Sequence, residues 1–161
     1  MTNPFFAPST LPYQLPPFAE IREEHYAEAI DAGMAEQRAE IAAITAQDDE
    51  PTFANTMEPL ERSGQLLMRV LRVFYNQSSA NSSDATNALE EQYAPLLSAH
   101  QDAITLDAAL FARIDALHSR LDELDLTDEQ RYLIERRHTE MSLAGAGLDD
   151  TAKERLGELN S

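Results

Sequence analysis

Cysteine and tryptophan are both absent from the chain, and lysine occurs once, at Lys153. Without cysteine there is no disulfide and no thiolate metal ligand, and the usual mark of a small secreted domain is missing. Positive charge is scarce. Twelve Lys and Arg stand against 29 Asp and Glu, a formal net charge of −17, so the surface repels phosphate backbones and anionic headgroups. Neither nucleic acid nor a membrane is an expected partner. An acidic field favours cationic peptides in principle, but it serves solubility first. No apolar run approaches the length of a membrane span. The opening MTNPFFAPSTLPYQ also lacks the basic start and apolar stretch of a signal peptide. A soluble, cytoplasmic protein is the expectation.

Few aromatics and abundant Ala, Leu, Glu and Gln favour helix over sheet. The 161 residues suffice to bury a real core. The predicted fold is all-α, an antiparallel bundle of about five or six helices with short loops, entered through an extended arm at residues 1–21. Proline sets that arm. Pro4, Pro8, Pro12, Pro16 and Pro17 hold the first residues extended and forbid an early helix. Phe5, Phe6, Tyr13, Leu15 and Phe18 are too apolar for a free tail, so the arm is expected to lie on a larger body.

The helical domain is predicted over 22–161. A first helix starts near Arg22, with Glu23 and Glu24 suited to its dipole and an inner face of Tyr26, Ile30, Gly33, Met34, Gln37, Ile41 and Ile44. The most telling stretch follows, EPTFANTMEPLERSGQLLMRVLRVF (Glu50–Phe74). Phe53, Met57, Leu60, Gly64, Leu67, Leu71 and Phe74 repeat at about 3.5 residues, one seam of a helix, with Leu66, Val70 and Val73 as a second row. Pro59 cannot donate back to Asn55, which predicts a kink or a loose turn at Phe53–Met57. A third helix is capped by Ser83 or Asp84, faces inward with Ala85, Leu89, Tyr93, Leu96, Leu97 and Ile104, and bends at Pro95. Asp107 caps the fourth, whose seam is Leu110, Ile114, Leu117, Leu121 and Leu124. Thr127 and Gln130 form a capping box for the fifth, with Leu133, Ile134, Arg137, His138, Met141 and Ala144 inward. Gly145 and Gly147 are expected to close it with left-handed backbone. A sixth amphipathic segment opens at Asp149, carries Ala152, Leu156 and Leu159, and stops without a cap at Ser161. That ending predicts a piece of a longer polypeptide.

Chemistry is sparse. A catalytic zinc helix of the form H-E-x-x-H needs two histidines one turn apart, and His25, His100, His118 and His138 offer no such pair. A di-iron bundle needs two Glu-x-x-His pairs and two further inward Glu. Glu135-Arg136-Arg137-His138 is one pair and Asp115-Ala116-Leu117-His118 a weakened second, but the first two helices put no Glu on their apolar seams. His138 and Arg137 are instead expected half-buried and hydrogen-bonded at a helix contact. His100 reads as a satisfied boundary histidine, His118 as exposed beside Asp115 and Asp122, and His25 as locally ion-paired. No serine sits in a G-x-S-x-G turn. Catalytic, cofactor-binding and metal residues are therefore all expected to be none.

The blocks themselves carry a resemblance. NPFF, LPPFAEIREEHYAEAI (Leu15–Ile30), the Glu50–Phe74 stretch, YAPLLSAHQDAITLDAALFARIDAL (Tyr93–Leu117) and QRYLIERRHTEMSLAGAGLDDTAKERLGELN (Gln130–Asn160) are similar, in that order, to the N-terminal third of zinc oligopeptidases of the thimet oligopeptidase and peptidyl-dipeptidase family. The Glu50–Phe74 stretch and the LDAALFARI segment look closest to the bacterial dipeptidyl carboxypeptidase branch, with oligopeptidase A next. The resemblance implies a mostly helical parent that cleaves short peptides in a deep channel, with zinc and its H-E-x-x-H helix far C-terminal to this chain. It implies that these helices wall the channel, that the catalytic domain of the same parent is their partner, and that they are inactive alone. Apolar surface left bare predicts self-association or a mobile arm. The rival expectation is a free-standing acidic helical interaction module without enzymatic activity.

Overall fold

A computed structural model describes residues 3–148 together with Ala152 and Arg155. It is all-α, with no strand among the described residues: α1 (Glu23–Thr45), a π-turn (Phe53–Met57), α2 (Glu58–Arg62), α3 (Gln65–Ala80), α4 (Asp84–Thr105), α5 (Ala108–His118) and α6 (Asp128–Ala144). Single 3₁₀ turns at Pro4–Phe6 and Pro12–Gln14 punctuate the proline-rich start. The predicted sixth helix lies outside the described residues, apart from Ala152 and Arg155. The chain divides into two compact units. One combines the residues up to Glu40 with Arg62–His100, the other Ile41–Glu61 with the residues from Gln101 onward.

The first unit buries Tyr26, Ile30 and Met34 of α1 against Leu67, Val70 and Phe74 of α3 and Tyr93 of α4. Each such side chain contributes ~1.5–3 kcal/mol through burial. At Gly33, α1 lies tight against α3: a Cβ there would stand 2.8 Å from the Leu67 Cα. The start of the arm belongs to this core. Phe5 is 2% exposed, and its ring lies 5.5 Å from that of Tyr26. Asn3 caps the turn by accepting from the Phe5 N–H and donates to the His25 carbonyl. Arg69 Nη1 donates to the Phe5 carbonyl at 2.6 Å. On α4, Thr86 rather than Ala85 turns inward, because it and Ser83 exchange capping hydrogen bonds. Leu96 is exposed instead of buried, and His100 takes the inward position one turn on.

The second unit gathers Ile41, Ile44, Met57, Leu110, Ile114, Leu117, Ile134 and Met141. Its π-turn answers the proline problem. Thr52 and Asn55 form a reciprocal cap, and the Glu58 N–H reaches back to the Phe53 carbonyl, one residue farther than an α-helix would. The Asn55 carbonyl, which Pro59 cannot serve, accepts from Gln47 Nε2 at 3.3 Å. The long helix predicted onward from Pro59 is interrupted once more. Gly64 adopts φ 71° and its N–H donates to Glu40 Oε2 at 2.7 Å, so α2 and α3 are separate helices. The fourth helix is shorter than its seam. Beyond His118 the hydrogen bonds tighten to i→i−3, with Arg120 N–H on the Leu117 carbonyl, yet Leu121 stays buried. At the end of α6, Gly145 supplies the left-handed residue (φ 98°). Gly147 has no positive φ; it is a close approach, where a Cβ would meet Phe111 Cε1 at 3.0 Å.

Candidate functional site

Among the described residues, it is the helix pair α5–α6 of the second unit that brings two histidines and a carboxylate together. Asp107 accepts from the Leu110 N–H, while Thr127 and Gln130 close a capping box. These caps fix where each helix begins, and therefore which residues face across. Asp115 and His118 lie one turn apart on α5, and His138 projects from α6. His138 Nε2 is 3.0 Å from Asp115 Oδ1. The imidazoles of His118 and His138 stack, centroids 3.8 Å apart and planes within 2°. Phe111 covers the other face of His138 at 5.4 Å. One donor atom from each of Asp115, His118 and His138 falls within 4.8 Å of the others.

His118, expected to be exposed, is half-buried, because it ends α5 where α6 passes over it. His138 and Arg137 sit as expected at a helix contact. Arg137 joins Glu61 at 2.7 Å and Glu140 at 3.1 Å. Glu140 is held below the ordinary carboxylate range, first by its hydrogen bond from Arg136 and further by the charge of Arg137. Glu135, the acidic member of the Glu-x-x-His pair, is exposed and stands outside the cluster. In the first unit, His25 accepts from the Arg22 N–H at its Nδ1 instead of forming an ion pair. His100 is buried. Its Nε2 meets Gln37 Oε1 at 2.8 Å, and Arg38 Nη1 lies 3.5 Å from its Nδ1. Desolvation, and then the charge of Arg38, pushes the imidazole below its ordinary value.

Sequence reasoning passed over Arg113, which is 7% exposed on the apolar side of α5. Its guanidinium donates to Thr56 Oγ1, Asn55 Oδ1 and the carbonyls of Gln47 and Asp49. A buried cation on neutral oxygens is a clamp, here on the π-turn and the loop before it. The signal was its register: Arg113 falls on the seam between Leu110 and Leu117. In the first unit, a cleft of about 460 Å³ lies between the arm and α3. Its lining includes Arg69, Arg72 and Met68 and no carboxylate side chain. It offers shape and positive charge, but no nucleophile paired with a base.

The catalytic zinc that the resemblance implies does not fit these residues. H-E-x-x-H is absent from the sequence, and the Asp115–His118–His138 cluster contains no Glu placed as a general base. Among the described residues no helix is long and apolar enough to cross a membrane.

Known proteins share the sequence along its whole length. The chain is 43% identical over 159 residues to a dipeptidyl carboxypeptidase of Escherichia coli (strain K12). It is 41% identical over 160 residues to a dipeptidyl carboxypeptidase of Salmonella typhimurium, and 26% identical over 159 residues to oligopeptidase A of Escherichia coli. Each alignment covers 99% of this chain but only 23–24% of the relative, so the chain spans about a quarter of their length. The resemblance read from the sequence blocks holds. A scan against protein-family models finds no match.

Proposed function

We propose that this chain is the N-terminal helical part of a zinc-dependent peptidase of the peptidyl-dipeptidase or oligopeptidase kind, where it walls the channel that admits short peptides. The observation that carries the reading is the 43% identity to a dipeptidyl carboxypeptidase across 99% of the chain. The packing gives a physical account of the role. A channel wall needs stiffness rather than reactive groups, and α1 and α3 supply it by approaching backbone to backbone at Gly33. The catalytic body is the partner that covers the exposed apolar side chains of the arm, Phe6, Leu11, Tyr13, Leu15 and Phe18. Zinc, its ligands and the general base belong to that body. This chain's own residues bind and orient; they move no proton in the reaction.

Two arms of one experiment test this. The isolated 161-residue chain, given a blocked tripeptide and zinc, is expected to release nothing. Substituted for the matching segment of the Escherichia coli dipeptidyl carboxypeptidase, it is expected to yield an enzyme that cleaves the same peptide. Chelator-sensitive hydrolysis by the isolated chain, or a folded, zinc-loaded chimera without activity, contradicts the proposal.

A further inference from the structure

We propose a metal site on this chain: Asp115, His118 and His138 bind a divalent ion of the zinc class and tie α5 to α6. Two imidazoles and one carboxylate are the donor set that zinc takes with three protein ligands and one open position. Two residues come from one face of α5 at i,i+3 spacing and the third from α6, so no single-helix motif announces the site. The geometry is close to what the ion needs. Tetrahedral zinc with bonds of about 2.0–2.1 Å separates its donors by roughly 3.4 Å. His138 Nε2 and Asp115 Oδ1 are already 3.0 Å apart, and all three donors fall within 4.8 Å. The ion takes the place of the proton shared between His138 and Asp115.

The remaining closure falls to His118. It is the last residue of α5, where the backbone is no longer held on both sides by helical turns. Its ring lies parallel to His138, so in-plane lone pairs run side by side and His118 must tilt out of the stack to share the ion. Binding therefore breaks the stack, which gives the site a signature of its own. Phe111 packs on His138 from the far side and keeps that ring in place. The half-buried histidines and the exposed Asp115 leave the fourth position open to water.

Zinc binding by the 161-residue chain is assigned to this cluster by variants that remove its donors one at a time. Calorimetric titration with zinc chloride is expected to give one ion per chain. His118→Ala, His138→Gln and Asp115→Asn should each weaken binding at least about tenfold, while His25→Ala leaves it unchanged. Proton NMR of the ring C–H signals should show His118 and His138 shifting together on zinc addition, with His100 unmoved. Helical circular dichroism checks that every variant is folded. A folded chain that binds no zinc, or one whose binding is equally strong in His118→Ala and His25→Ala, overturns the site. Failure here leaves the peptidase reading intact, because that reading is tested by peptide cleavage.

Discussion

His100 and Arg113 show what single polar residues do inside this molecule. Arg38 lies at Nδ1 of His100, which makes that nitrogen the acceptor and leaves the Nε2 proton for Gln37. The folded pKa of the imidazole lies below the unfolded one, first through burial and then through the charge of Arg38. A depressed value in a base means that the unfolded chain binds the proton more readily. The contribution is thus present above about pH 6.5 and lost as pH falls toward the folded value. Unfolding midpoints in urea should drop between neutral and mildly acidic pH, and the drop should be smaller in His100→Gln; identical pH slopes would contradict this. Arg113 predicts a larger effect. Replacing it with Met strips donors from Thr56, Asn55 and two carbonyls, a loss of about 2–3 kcal/mol in urea unfolding. A variant as stable as the parent would show the clamp to be idle.

Elements were legible where their signals are local. Asp107, Ser83 and the Thr127–Gln130 pair lie within a turn of the helices they start, so their chemistry can be read without a fold. The loose turn before Pro59 was legible for the same reason: a missing N–H is visible in the sequence. The break at Gly64 was not. The apolar seam runs through it unbroken, and what selects the left-handed glycine is an acceptor from α1, Glu40. Likewise His118 and His138 belong to different helices, and only the packing of α5 on α6 brings them together. The glycines make the element scale testable. Gly33→Ala drives a Cβ into the Leu67 backbone at 2.8 Å, and backbone cannot yield, so we expect a loss of about 1–3 kcal/mol. Gly147→Ala meets only the edge of the Phe111 ring, which can shift, and should cost less. Equal unfolding midpoints for the two variants would remove the argument that α1 and α3 touch through their backbones.

At the scale of the whole molecule, the acidic surface and the apolar arm point in different directions. A net charge of −17 keeps chains apart. Yet Tyr13 is 97% exposed and Leu15 55% exposed, on an arm whose start is anchored by Phe5. Light scattering of the isolated chain should reveal association that rises with added salt, which screens the repulsion, and falls in a Tyr13→Ser, Leu15→Ser variant. A strict monomer at all salt concentrations would mean that the arm seeks no partner. The central claim, that these helices serve a peptide-cutting enzyme whose chemistry lies elsewhere, is met most directly by the chimera with the Escherichia coli dipeptidyl carboxypeptidase. The account predicts release of dipeptides by the folded chimera and none by this chain alone; cleavage by the chain alone, or a folded, zinc-loaded chimera that cuts nothing, would contradict it.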